Sequence, residues 1–423
     1  MTMLLRTLLR TNSALIGLPL AVVFVTTALG DDLTSWVTGN YWPSVTGNAT
    51  FALAFLSTGC AALGAWEGAQ LDKGQVLAHT PVRSPLAISL PLLVPVIITG
   101  LVGTVVALVL TASAADVDWG LPDLSVLAAQ LLLLTGNTLV GFLVGRRWTA
   151  VISVPGTLIT AFIANAYPVS WDIMWPRHLV GGGLHNCCAV DQILDRNAVW
   201  SATLFALALS VAAAVIIQKP GSRRVLGVAL LVVMLGIGAG GFFARDLSAD
   251  PVRARPTASL VCEQGTAARV CLWPEVRNGE TIRKETQKVL QRLTAAGVSV
   301  SPSFTMAAEP RAGEAKLAVL PGDDANQVAA GVVAGLMPAV PACAADHNYP
   351  AGAAREPVAA WLLLTSGTPA DTVAAMVPPE AAQLAQQVAR QPRSTQLSWY
   401  KHNAQAMHSC TTEPLLSAPR ETT

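Results

Sequence analysis

At 423 residues the chain has room for two or three domains, yet 52% of it is hydrophobic and only 13% charged, too little polar surface for an ordinary soluble protein or a disordered one. Its 27 Lys and Arg residues balance 26 Asp and Glu, so the net charge excludes a broad electrostatic footprint for nucleic acid.

Before residue 244, seven stretches carry no Asp, Glu, Lys or Arg: 11–30, 33–66, 86–115, 124–145, 149–171, 197–218 and 225–244. A helix crosses a bilayer with about 17 to 25 apolar residues. The pattern therefore predicts seven membrane helices, near 12–30, 47–67, 86–110, 124–145, 149–167, 197–217 and 225–243. Runs such as "VLGVALLVVMLGIGAGGFF" leave no polar face for water, which argues against surface helices of a soluble protein. Residues 1–30 also have the pattern of a secretory signal, with Arg6 and Arg10 ahead of an apolar core; its removal would leave the remaining topology unchanged. Basic residues in short connections set the sense. With the N-terminus inside, the inner segments hold Arg6, Arg10, Lys73, Arg83, Arg146, Arg147, Lys219, Arg223 and Arg224, and the outer ones only Arg177 and Arg196. The expectation is a multi-pass plasma-membrane protein with a cytoplasmic N-terminus and residues 245–423 outside the cytoplasm.

The first polar interruption is "GAWEGAQLDKGQVLAHTPVRSPL", which brings Glu67, Asp72, Lys73, His79 and Arg83 between two apolar runs. An acidic residue at mid-membrane costs roughly 2.5 to 3.5 kcal/mol, so Glu67 is placed at the inner end of the second span, in reach of water. Further along, Pro91, Pro95, Pro155 and Gly156 mark bend points, because proline removes a helical hydrogen bond. Gly141 with Gly145, and Gly236 with Gly240, are small residues spaced to let helices approach closely. Gln130, Asn137 and Asn165 lie inside spans, either hydrogen-bonding between helices or lining a pathway.

Beyond the last span the composition changes, with sixteen basic and sixteen acidic side chains over 245–423. Residues 259–274 read as a hairpin, 279–297 as an amphipathic helix with Ile282, Val289, Leu290 and Leu293 on one face, "KLAVLPGD" as a strand, and "ANQVAAGVVAGLM", 355–366, 379–391 and 395–408 as helices. The expected organisation is a transmembrane domain over 1–244, a small α/β or mainly helical extracytoplasmic domain over 245–410, and a flexible tail over 411–423. Cys60 reads as a small packing residue, whereas Cys187, Cys188, Cys262, Cys271, Cys343 and Cys410 all fall on the outer, oxidising side. Cys262 with Cys271 across the hairpin and Cys343 with Cys410 are the preferred disulfides; Cys187 and Cys188 compete, since each can reach a domain cysteine instead.

Chemistry is sparse. "RHLVGGGLHNCC" offers His178, His185, Cys187 and Cys188, and "HNAQAMHSC" offers His402, His408 and Cys410, but neither has the spacing of a zinc peptidase, and no G-x-S-x-G elbow occurs. No metal, cofactor or enzymatic activity is expected of the chain. The inner arm, a second span ending in Trp66 and Glu67, the polar segment "LDKGQVLAHTPVRSP", a proline-containing third span, the tight turn "GRRW" and the outer connection 168–196 together resemble the permeases of ABC-2 type transporters over residues 1–218. The seventh span and the outer domain are additions to that six-helix core. The resemblance implies an exporter subunit that pairs with itself or a second permease chain. It also implies that residues 67–84, with Glu67, Asp72, Lys73, His79 and Arg83, dock a separate ABC ATPase, the chain itself having no G-x-x-x-x-G-K-[ST] phosphate loop. The other class open to such a chain is a receptor or assembly protein that works through its outer domain.

Overall fold

The computed structural model describes residues 12–75, 83–320, 322–345 and 348–418. The chain divides into two compact units, Met1–Arg253 and Ala254–Thr423. That division falls later than the change in composition at 244, because residues 248–251 are hydrogen-bonded within the first unit. His178 Nε2 lies 3.0 Å from the Ser248 carbonyl, Asn186 Nδ2 donates to Asp250 Oδ1 at 2.6 Å, and the Asp195 N–H donates to the Pro251 carbonyl at 2.7 Å.

The first unit is built from α1 (Ala14–Thr27), α2 (Gly30–Ser35), α3 (Trp42–Ala49), α4 (Leu53–Lys73), α5 (Pro85–Ala114), α6 (Leu124–Gly145), α7 (Ala150–Ala166), α8 (Trp175–Leu179), α9 (Arg196–Gln218) and α10 (Arg223–Ala244), with a short strand β1 (Gln192–Leu194) before α9 and β2 (Val252–Ala254) after α10. Among the described residues, six segments are long and apolar enough to cross a membrane: Trp42–Lys73, Pro85–Ala114, Leu124–Gly145, Ala150–Ser170, Arg196–Gln218 and Arg223–Ala244. The first of the seven expected spans is not among them. Over its described part it is the 14-residue helix α1, about 21 Å long at 1.5 Å per residue, against a hydrocarbon core of about 30 Å. The apolar run gives out at Gly30, and Asp31 and Asp32 open the separate helix α2. Four of the longer helices start where their sequences supply a cap. Ser84, Asp123, Asp195 and Ser222 each accept a backbone N–H at the start of α5, α6, α9 and α10. Helix α5 continues through Pro91 and Pro95, and α7 through Pro155.

Glycine sets how these helices pack. On α6, a Cβ added at Gly141 or Gly145 would run into the carbonyls of Ala61 and Ala65 on α4; on α4, one added at Gly64 or Gly68 would run into those of Thr138 and Phe142 on α6. The two backbones therefore touch over two turns, and because both numberings rise together the helices are parallel. Gly236 meets the Ala208 methyl, and Gly240 would bring a Cβ within 2.9 Å of the Ser201 carbonyl. Here the numbering runs in opposite senses, as a helical hairpin of α9 and α10 requires. Both glycine pairs expected to allow close approach do so. Their partners Gly64 and Gly68 stand in the same spacing within "GAWEG". Asn137 and Asn165 join α6 to α7 side chain to side chain, Asn165 Nδ2 donating to Asn137 Oδ1 at 3.0 Å and Asn137 Nδ2 to Asn165 Oδ1 at 3.4 Å. The buried centre is aliphatic, with Leu53, Leu56, Leu133, Leu134, Ala198 and Ala202 in one cluster.

The outside of the bundle is equally apolar. Only 17% of the apolar window of Ala150–Ser170 and of Arg223–Ala244 is buried. Exposed tryptophans mark the two ends: Trp66 and Trp148 at the end that carries Lys73 and Arg147, and Trp36, Trp119, Trp171 and Trp200 at the other. Indole rings favour the two membrane–water interfaces, so these positions bracket an apolar belt of membrane type.

The second unit holds a four-stranded sheet of β3 (Val261–Gln264), β4 (Arg269–Leu272), β5 (Ser303–Thr305) and β6 (Glu314–Lys316) in that spatial order. Strands β3 and β4 form the expected hairpin, antiparallel with Cys262 opposite Cys271, whereas β4–β5 and β5–β6 are parallel. Its helices are α11 (Gly279–Ala295), α12 (Ala325–Leu336), α13 (Arg355–Ser366), α14 (Ala370–Met376), α15 (Pro379–Ala389) and α16 (Arg393–Ala406). Helix α11 buries Ile282, Val289, Leu290 and Leu293, the face its spacing dictates, and α12 begins with a capping box between Asp324 and Gln327. The strand expected within "KLAVLPGD" lies earlier, at Glu314–Lys316, and β5 and α14 carry no comparable signal. Three buried tryptophans organise the interior. Trp273 Nε1 donates to the Met306 carbonyl at 3.2 Å, Trp361 Nε1 to Gln396 Oε1 at 3.0 Å, and Trp399 Nε1 to the Leu415 carbonyl at 2.8 Å. That last bond, with Asn403 accepting from the Leu415 N–H at 2.8 Å, holds down a segment whose composition suggests a frayed tail; residues 419–423 lie outside the described part.

The sulfurs of Cys262 and Cys271 are 2.01 Å apart and those of Cys343 and Cys410 2.04 Å. Cys187 and Cys188 bond to one another and not to a cysteine of the second unit. Non-reducing peptide mapping should recover the first two pairs as linked peptides. Cys343→Ser should cost on the order of 4 kcal/mol by the loop-entropy argument, read as a lower denaturation midpoint; free thiols at all four positions would refute the pairing. Gly141→Ala should lower the stability of the membrane unit by about 1 to 3 kcal/mol through overpacking, measured by denaturant titration in detergent. Gly238→Ala is its control, because a Cβ there meets nothing within 4 Å.

Candidate functional site

The segment singled out by sequence, 67–84, begins at the last two turns of α4. Glu67 is there, but not in water: it is buried, 4% exposed, and its Oε1 accepts the Ser13 backbone N–H at 2.7 Å. Ser13 stands immediately before α1, where the first N–H groups lack helical partners and the helix dipole favours negative charge. The carboxylate thus closes the start of α1 from a neighbouring helix. Asn12 completes the knot, its Oδ1 accepting from the Ala14 N–H at 2.9 Å and its Nδ2 donating at 2.8 Å to the Leu92 carbonyl, in the α5 turn between Pro91 and Pro95. Glu67 therefore ties α1 to α4 instead of presenting a free charge, because an uncompensated α1 terminus lies nearer than solvent. The sequence signal for its partner was "TNSAL", a pair of capping residues ahead of an apolar run.

The rest of the segment divides cleanly. Asp72 and Lys73 end α4 exposed, followed by exposed Gly74 and Gln75. Arg83 and Ser84 are exposed at the return into α5. His79 lies outside the described residues. At the same end the turn between α6 and α7 carries Arg146, half-buried, and Arg147, exposed. Burial lowers the Arg146 pKa, and the Asp72 carboxylate opposes that effect. The end of the bundle is thus a polar rim built from two connections.

At the opposite end the chain between α7 and α9 forms short elements: a 3-10 turn Tyr167–Ser170, α8, a second turn Leu184–Asn186 and β1. Gly183, at φ +88°, makes the bend before the second turn. His178 and Arg177 are buried in α8, with Arg177 Nη2 donating to the Trp171 carbonyl at 3.1 Å. Burial pushes the imidazoles of His178 and His185 below their usual pKa, against the Ser248 carbonyl at His178 and the Asp250 carboxylate at His185. Cys187 and Cys188 pack with Tyr41; the Thr38 hydroxyl donates to the Cys188 carbonyl at 2.9 Å and the Tyr41 hydroxyl to the Gln192 carbonyl at 2.5 Å. These bonds fasten the connection to the chain ahead of α3. Among the described residues no group of three or more His, Cys, Asp or Glu side chains is placed to hold a metal ion. His402 Nε2 lies 3.1 Å from the Glu413 carbonyl, so it serves the C-terminal segment.

The geometry defines a helical, membrane-embedded unit followed by a separate compact unit with a mixed sheet. Residues 270–410, within that second unit, match the model of a protein family described as a domain of unknown function (DUF7224). No curated protein and no solved structure matches the chain.

The Glu67 contact is testable. Glu67→Ala leaves the partly buried Ser13 N–H without a partner, which should cost about 1 to 3 kcal/mol, while Asp72→Ala at the exposed end of the same helix should change stability by less than about 0.5 kcal/mol. Thermal unfolding in detergent compares them; equal midpoints for the two variants would remove the cap.

Proposed function

We propose that the chain is the membrane subunit of an ABC-type exporter, driven by a separate ATPase that docks on the rim made by Asp72, Lys73, Arg83 and the Arg146–Arg147 turn. The observation that carries the reading is the layout: an exposed polar segment interrupts the bundle between α4 and α5 at one end, and short broken elements precede α9 at the other. With the positive-inside assignment, the rim faces the cytoplasm and the second unit stands outside the cell.

In this reading Glu67 is a transmission point. A push on Asp72 and Lys73 acts along α4, and the Glu67–Ser13 hydrogen bond passes it to α1. The glycine seam passes it to α6, since backbones in contact cannot slide independently. The prolines of α5 and α7 supply deformable points. A homodimer or a second permease chain would complete the path.

Purification from the native membrane in mild detergent should bring down an ATPase in stoichiometric amount, and Asp72→Arg with Lys73→Glu should release it. A wild-type preparation free of any ATPase would refute the proposal and leave a receptor or assembly role for the second unit ahead.

A further inference from the structure

We propose that a cavity at the start of α3, α6 and α9 binds a phosphate group, supplied by an anionic phospholipid headgroup or free in solution. The cavity has a volume of about 210 Å³ and is lined by Pro43, Asp123, Val126, Arg196, Val199 and Arg253 among others. It lies wholly within the first unit. Two arginines, both exposed, thus line one small space, and among the described residues neither Arg196 nor Arg253 forms an ion pair. The single carboxylate lining it, Asp123, is already engaged: its Oδ1 accepts from the Ser125 N–H at 2.9 Å and the Ser125 hydroxyl at 2.6 Å. Like charges sharing a cavity repel, and an anion between them converts that repulsion into two attractions.

Placement and chemistry both select phosphate. Arginine presents a planar fork of donors that matches phosphate oxygens two at a time. Arg253 is held beside the cavity, because β2 pairs with β1 and the Asp195 N–H is fixed to the Pro251 carbonyl. Arg196 is the first residue of α9, and the starts of α3 and α6 also reach the cavity through Pro43 and Asp123, so backbone dipoles add to the arginine charge. The remaining lining is apolar at Val126 and Val199. Exposed Trp119, Leu121, Leu124 and Trp200 surround this end of α6 and α9, which sets the cavity at headgroup depth. Its volume is below the ~300 to 1,000 Å³ of pockets that enclose a whole drug-sized ligand, so it accepts a headgroup and leaves acyl chains on the apolar surface outside. None of this depends on whether the chain transports anything.

The test uses the full chain in detergent, titrated with short-chain phosphatidylglycerol and separately with inorganic phosphate, with bound species counted by native mass spectrometry. Arg196→Gln combined with Arg253→Gln should weaken phosphatidylglycerol binding by at least about tenfold, the expected loss of charge-assisted hydrogen bonds. Ile193→Trp, which narrows the cavity without touching either charge, should do the same, and it carries the test if the double variant fails to fold. Arg390→Gln, at an exposed position of the second unit, should leave binding unchanged. Loss of both ligands in the variants identifies the phosphate group itself as sufficient; loss of lipid binding with no phosphate binding by the wild type identifies the headgroup in its leaflet. Equal lipid binding by wild type, double variant and Ile193→Trp overturns the proposal.

Discussion

Contact between the backbones of α4 and α6 is the constraint on which the membrane unit rests. Lipid tails are as apolar as leucine, so burial of side chains gives little reason for one helix to prefer another over lipid. What remains is close packing, and Gly64, Gly68, Gly141 and Gly145 supply it by letting the facing backbone carbonyls come to where a Cβ would stand. Around that seam the bundle needs few polar links. The reciprocal Asn137–Asn165 amides join the next helix, α7, and the glycines of α10 seat it on α9.

The second polar link is of a different kind. Glu67 is bonded where its charge is useful, against the unsatisfied start of α1. A helix of 14 residues is thereby joined to one of 21. The two ends of the bundle consequently differ in character: a charged rim with one buried carboxylate behind it, and opposite it a folded connection fixed by hydroxyl and carbonyl pairs.

Much of this was legible in the sequence. Six of the apolar runs became helices of spanning length because they carry almost no charge, and four of them start after Ser84, Asp123, Asp195 and Ser222, residues whose side chains cap. The second unit's hairpin and amphipathic helix were equally visible, since a period of two around a turn and a 3.6-residue stripe are local properties. What sequence did not yield is what depends on distant partners. The burial of Glu67 needs Ser13, 54 positions away. The pinning of Leu415 needs the Trp399 indole and the Asn403 amide, which composition cannot weigh. The cavity flanked by Arg196 and Arg253 joins residues on either side of α10, each of which reads alone as a solvated charge.

The parallel sense of the α4–α6 seam also governs how the protein comes into being. Neighbouring helices in a chain that threads back and forth run antiparallel, so two parallel ones can meet only after the segment between them has turned the chain around. Gly64 therefore has no partner until α5 has been synthesised in full and Thr138 has followed it out of the ribosome. Until then the α4 glycines face no backbone partner, and α1 is held through Glu67 and, once α5 is made, through the bond from Asn12 to the Leu92 carbonyl. The seam between α4 and α6 can therefore close only when α6 enters, after the whole of α5 has been made.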